Sequence, residues 1–172
     1  MTREPPARSN RSLWRACRVR LQDFPVPRPF SLPALLEQVS RSRGRDLHLH
    51  ELPFPPGPDV PCGMWIATAQ ADHVYHATGV SALHRQNIVL HELGHMVCDH
   101  RVAEPDAVAA LLPGLDPAMV QRVLMRTRYS TLQEREAEMI AALILEKAGW
   151  PSPRPAAPGG PLDEVFGFPE GH

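Results

Sequence analysis

Cysteine is scarce in this chain, with three among 172 residues, and Cys17, Cys62 and Cys98 lie far apart with no C-x-x-C pair. That excludes a disulfide framework and fits a reducing compartment. Net charge is nearly absent as well, at -1, so no global attraction to nucleic acid or to anionic lipid is expected. No apolar run approaches a membrane span, and the opening "MTREPPARSNRSLWRACRVR" has charge without the apolar stretch of a signal peptide. The expected location is cytoplasmic. No internal repeat is visible, and the length suits one ordinary core rather than two.

Proline, by contrast, is abundant. Most of the twenty prolines lie between Pro5 and Pro61 or between Pro151 and Pro169, which predicts extended or loop-like ends around a regular centre. The first 30 residues also carry Arg3, Arg8, Arg11, Arg15, Arg18 and Arg20. Such a run suits contact with an acidic partner, but its simpler reading is a solvated, mobile arm. Residues 1–30 are therefore expected as an Arg- and Pro-rich arm, 31–150 as the folded domain, and 151–172 as a disordered Pro- and Gly-rich tail.

Within the centre, Ser31 caps a helix whose apolar face is Leu32, Leu35, Leu36 and Val39 and which Gly44 closes. "DLHLHEL", "GMWIATA" and "DHVYHA" read as strands, the last two about a short turn near residues 70–72, and predict a small antiparallel sheet. A helix capped by Ser81 follows, with Val89, Leu93 and Val97 on one face. Asp116-Pro117 opens a further helix, and Thr131 with Glu134 forms a capping-box pair at the head of "TLQEREAEMIAALILEKAG".

The Ser81 helix contains "HELGH". On a helix His91 and His95 stand one turn apart on the same face, so both imidazoles reach one ion while Glu92 projects beside them. That is zincin geometry, with Glu92 as general base. Gly94 costs a helix interior about 1 kcal/mol relative to alanine. It implies either that the space above it is needed by another segment or a substrate, or simply that helices pack closely there.

A catalytic zinc needs a third protein ligand, and "EREAE" offers Glu134, Glu136 and Glu138. Glu136 shares a stripe with Leu132, Met139, Ile140 and Leu143, and a carboxylate on a buried face needs a partner such as a metal. Glu134 is accounted for by the capping box. Glu136 is the expected ligand, with Glu138 second.

HELGH on one helix followed by "EREAEMIAALIL" on another resembles the ImmA/IrrE family of metallo-endopeptidases, whose second motif usually reads E-x-E-A-N-x-F-A. The resemblance runs from about Ser31 to Gly149 and implies His91, His95 and Glu136 as zinc ligands and Glu92 as base. Here Glu138 stands for the usual asparagine and Ile140 for the usual phenylalanine, and the spacer 101–130 is longer than expected. The family's helix-turn-helix regulators are the protein substrate that the resemblance implies. The expected fold is thus α+β, a helix-dominated zincin-like domain whose small antiparallel sheet precedes the HELGH helix.

The expected chemistry is peptide hydrolysis, in which Glu92 takes a proton from water and returns it to the leaving amine. Tyr75, Tyr129, His84 and His100 are all candidate oxyanion donors, and spacing does not choose among them. Asp99 and Cys98 read as a surface or supporting residue and a small buried hydrophobe rather than ligands. His48, His50, His73 and His76 match no metal spacing and are expected to face solvent. Trp65 and Trp150 read as packing residues. The competing class is a non-catalytic, zinc-stabilised module, such as a toxin component or sensor, that binds a regulator without cutting it. An intact base favours the enzyme.

Overall fold

The computed structural model describes residues 10–52, 61–68, 70–100 and 129–150. The Asp116 helix and the tail 151–172 lie outside the described residues. The fold is α+β: helices α1 (Asn10–Arg20) and α2 (Leu32–Arg43), strands β1 (Asp46–Glu51), β2 (Gly63–Ala67) and β3 (Ala71–His76), then helices α3 (Ala82–Val97) and α4 (Thr131–Lys147). None of these helices is long and apolar enough to cross a membrane.

The first departure from expectation is α1. From Asn10 onward the supposed arm is a packed helix, because Leu13, Cys17 and Leu21 recur at i, i+4 and i+8 and bury one seam against the core. Arg11, Arg15, Arg18 and Arg20 occupy the outer face. The arginines mark the solvated side of a helix, and charge density alone concealed the seam. The ends of α1 and α4 are also tied reciprocally. Lys147 Nζ donates to the carbonyls of Leu21 (2.8 Å) and Phe24 (3.1 Å), while Arg28 donates through Nε (3.1 Å) and an Nη (2.7 Å) to the carbonyl of Lys147.

Helix α2 keeps its expected ends, with Leu35 and Val39 fully buried and Gly44 left-handed at φ 62° as its stop, although Ser31 stands at the N-cap without a side-chain capping hydrogen bond. The sheet is mixed rather than antiparallel, with strand order β1-β3-β2. β2 and β3 form the expected hairpin, but β1 runs parallel to β3 on its other side. Glu51 and Gly63 both stand opposite His76, so β1 ends and β2 begins at the same end of the sheet. The chain therefore has to cross only two strand spacings there, about 10 Å. A period of two identifies a strand without fixing its direction, which is why alternation did not reveal this pairing. As the central strand β3 is buried along its whole length. That is why His73 and His76, expected to face solvent, are buried. On its core face Asp72, 1% exposed, accepts from Arg43 Nε (2.8 Å) and Trp65 Nε1 (3.2 Å), so this buried carboxylate is matched by a cation and a donor.

Helices α3 and α4 pack against each other and carry the candidate site residues. Because α1 belongs to this core, Leu13→Ala is expected to lower the unfolding free energy by about 2–4 kcal/mol in denaturant titrations. A midpoint unchanged from wild type would mean that α1 does not pack.

Candidate metal centre

Helix α3 begins at Ser81, whose hydroxyl accepts from the His84 N–H, and its middle turns are buried from Ile88 onward. The one-turn spacing brings His91 Nε2 to 3.1 Å from His95 Nε2, with the rings nearly perpendicular. Gly94 sits between them on the α4 side. A Cβ there would lie 2.4 Å from the Ala137 carbonyl oxygen and 2.7 Å from its Cα, both backbone atoms that cannot yield. Of the two readings of this glycine, close helix packing is the one realised, and the packed helix is α4.

Ala137 is the centre of that contact, and Glu134 and Glu136 flank it on the α4 wheel. Glu134 Oε2 lies 3.1 Å from His91 Nε2 and 3.8 Å from His95 Nε2. Glu136, the expected third ligand, lies elsewhere: its Oε2 is 2.9 Å from His100 Nε2. Glu136 stands on the other flank of Ala137, and a one-residue shift of the helix cap leaves Glu134 for the histidines. Ser130, not Thr131, is the N-cap, its hydroxyl accepting from the Gln133 N–H while the Gln133 side chain accepts from the Ser130 N–H. Glu134 is thereby released from capping and turns to the histidines. The sequence signal was present, since Ser130-x-x-Gln133 is as good a capping box as Thr131-x-x-Glu134. Glu138 is half-buried and acts on His91 through its charge.

His100 reaches the site through the way α3 ends. Asp99 is left-handed at φ 55°, the His100 N–H bonds the His95 carbonyl (2.9 Å) and the Asp99 N–H bonds that of Met96 (3.1 Å). This Schellman turn folds His100 back beside His95, Nδ1 to Nδ1 at 3.0 Å. Asp99 itself is exposed, and Cys98 is buried with its thiol pushed up to about 12, chiefly by burial. Tyr129, the residue before Ser130, stacks on the other side of His95 with ring centroids 3.6 Å apart.

Among the described residues there are two clusters in each of which the donor atoms lie within 4.8 Å of one another and could hold a metal ion: His91, His95 and Glu134, and the more buried set Cys98, His100 and Glu136. The first is half-open, with Glu134 and His91 partly exposed, whereas the second is closed. Of the four oxyanion candidates, His100 has both ring nitrogens engaged, His84 is exposed in the first turn of α3, and Tyr75 stacks on His50. Tyr129 is the one beside the histidine pair. Its hydroxyl is buried with no partner, as is Glu92 Oε2.

Burial dominates the electrostatics. It raises Glu92 to about 7, with His91 opposing and Glu134 adding to the rise, and the backbone of Trp65 supplying one hydrogen bond. Burial, then His91 and His100, lower His95 to about 2, so this ring is neutral and keeps a lone pair. Burial also pulls on His91, but the Glu134 hydrogen bond and the charges of Glu92, Glu134 and Glu138 outweigh it and the net shift is upward. Burial, Glu92 and Glu134 push the Tyr129 phenol up, so it remains a proton donor. Gly63 on β2 lies against Glu92, where a Cβ would come within 2.7 Å of Oε1, so the strand holds the carboxylate from the side opposite α4.

Against family models, curated proteins and solved structures, the chain finds no match.

An acid whose folded pKa is raised stabilises the fold below its unfolded value and loses that contribution as pH rises through the folded one. For Glu92 the window runs from 4.5 to about 7. In chelator-treated protein, the stability of Glu92→Gln relative to wild type should therefore rise by about 3 kcal/mol between pH 4.5 and pH 8. Urea titrations at both pH values measure it, and a pH-independent difference would mean that Glu92 is solvated.

Proposed function

We propose that this chain is a zinc-dependent endopeptidase of the ImmA/IrrE kind that its paired motifs resemble, acting in the cytoplasm on a protein substrate, foremost a helix-turn-helix transcription regulator. The observation that carries the reading is the triangle of His91 Nε2, His95 Nε2 and Glu134 Oε2, with edges of 3.1, 3.1 and 3.8 Å. A four-coordinate zinc with nitrogen and oxygen donors spaces them at about 3.3 Å, a value these edges bracket. Two imidazoles and one carboxylate are also the donor chemistry of an open, catalytic site. The unpartnered Glu92 Oε2 and Tyr129 hydroxyl are the buried polar atoms that such a site would put to use.

Zinc held there would supply a Lewis acid that acidifies water and polarises a peptide carbonyl. Glu92, with a pKa near 7, is matched to taking a proton from water at Oε2 and delivering it to the leaving amine nitrogen. Tyr129 keeps its proton and donates it in a hydrogen bond to the oxyanion that develops on the carbonyl. Its ring, stacked on His95, fixes where that donor stands.

β2 supports a peptide as the substrate. Thr68 is hydrogen-bonded to Ala71 and Cys62 to Ala77, so Met64 and Ile66 share that phase. The N–H and C=O groups of Gly63 and Ala67 and the C=O of Trp65 then point away from β3, the Trp65 N–H on that edge being taken by Glu92, and among the described residues no strand pairs with that edge. An extended backbone laid along it would pass beside Glu92, which Gly63 touches.

Three variants test the reading together. Glu134→Gln should weaken zinc binding by more than about 100-fold, because it removes an anionic ligand. Glu92→Gln should retain zinc at full stoichiometry, bind the regulator and fail to cut it. Tyr129→Phe should keep zinc and lower kcat by about 10- to 100-fold with little change in KM. Zinc content by elemental analysis beside regulator cleavage reads all three. A metal-loaded Glu92→Gln protein with wild-type function would replace the peptidase by a binding module.

A further inference from the structure

His95 is held at both ring nitrogens. If Nε2 is the atom offered to a metal, the neutral ring carries its proton on Nδ1, and that proton points at His100 Nδ1, 3.0 Å away. His100 must then accept at Nδ1, which places its own proton on Nε2, directed at Glu136 Oε2 at 2.9 Å. Every donor finds an acceptor and no proton is counted twice. We infer that His100 and Glu136 form a two-step relay, carboxylate to imidazole to imidazole, that fixes the tautomer and orientation of His95 as a metal ligand. The inference rests on the metal-site reading above and extends it to two residues that do not themselves touch the ion.

Three features make the relay a built one. Glu136 and His100 are both buried, so their hydrogen bond is not exchanged freely for water. The turn that delivers His100 is held by two backbone hydrogen bonds and a left-handed Asp99, a conformation that aspartate tolerates better than most residues. Glu136 is fixed by α4 on the flank of the Gly94–Ala137 contact, so the helix pair that sets Glu134 against His91 also sets Glu136 against His100. The relay polarises His95 toward its metal-facing nitrogen, since negative charge at Glu136 draws the His100 Nε2 and His95 Nδ1 protons toward itself and leaves electron density on His95 Nε2. The alternative use of these atoms, a second ion held by Cys98, His100 and Glu136, would require His100 Nε2 to give up its proton. A separation of 2.9 Å is that of a direct hydrogen bond.

The test uses the full chain and zinc alone, with affinity measured by competition against a chromophoric chelator. His100→Leu should weaken zinc binding by about 10- to 100-fold. His100→Gln should recover most of that loss, because its amide accepts from His95 and donates to Glu136, and Glu136→Gln should fall between the two. In the zinc-loaded wild type, 15N imidazole spectra should show His95 protonated at Nδ1 and His100 at Nε2, a readout that needs no variant to fold. The relay is overturned if the folded His100→Leu protein binds zinc as wild type does, or if His100→Gln binds as poorly as His100→Leu. It is equally overturned if His100 is protonated at Nδ1, or if a second zinc per chain is lost with His100. A wild type that takes up no zinc overturns relay and site together, an outcome distinct from the others.

Discussion

The approach of the Gly94 and Ala137 backbones is the constraint on which the rest of the site depends. With no Cβ on Gly94, the HELGH helix lies directly on the helix that carries Glu134 and Glu136. The helix-propensity cost of that glycine, about 1 kcal/mol, is small beside what the contact arranges. From it follow the placement of one carboxylate against His91 and of another against His100, on opposite flanks of one alanine. The apolar residues nearby, Leu90, Leu93, Ile140 and Ile144, are fully buried and hold the two helices at this distance. A wider separation would leave both carboxylates out of reach of their histidines.

Much of this was legible in the sequence, and the failures have physical causes. Helix period, the Ser81 cap and the left-handed Gly44 mark α2 and α3, and HELGH announces the histidine pair because a four-residue helical spacing is a local geometric fact. The role of Gly94 was posed as a choice that only tertiary structure could make. Glu134 was set aside because two capping boxes overlap by one residue, and sequence gives no energy difference between a Ser130 and a Thr131 cap. That one-residue shift decides which glutamate is free. The direction of β1 and the inward seam of α1 were hidden for a shared reason: strand direction and helix burial are settled by partners distant in sequence.

Each buried acid in the described residues is accommodated differently. Asp72 has an arginine and an indole N–H; Glu136 has a histidine; Glu92 has a backbone N–H for one oxygen and nothing for the other. An ionised group buried without full compensation is costly, and Glu92 answers that cost by holding its proton to about pH 7. The least satisfied carboxylate is thus the one with the most to gain from a positive charge beside it. Structural need would have matched Glu92 as fully as Asp72.

His100 and Tyr129 close over His95 from two sides, and in sequence they bracket the 28 residues from 101 to 128. Both ends of that segment are therefore pinned to the same imidazole, whatever the length between them. Closing a loop costs entropy that grows only with the logarithm of its length, so lengthening it by half adds only a few tenths of a kcal/mol. The junctions, by contrast, tolerate almost nothing: one residue added between His95 and His100, or between Tyr129 and Glu134, would turn a side chain away from its partner. Length is thus constrained at those two junctions, whereas a residue gained or lost elsewhere between His100 and Tyr129 leaves the spacing at each junction as it is.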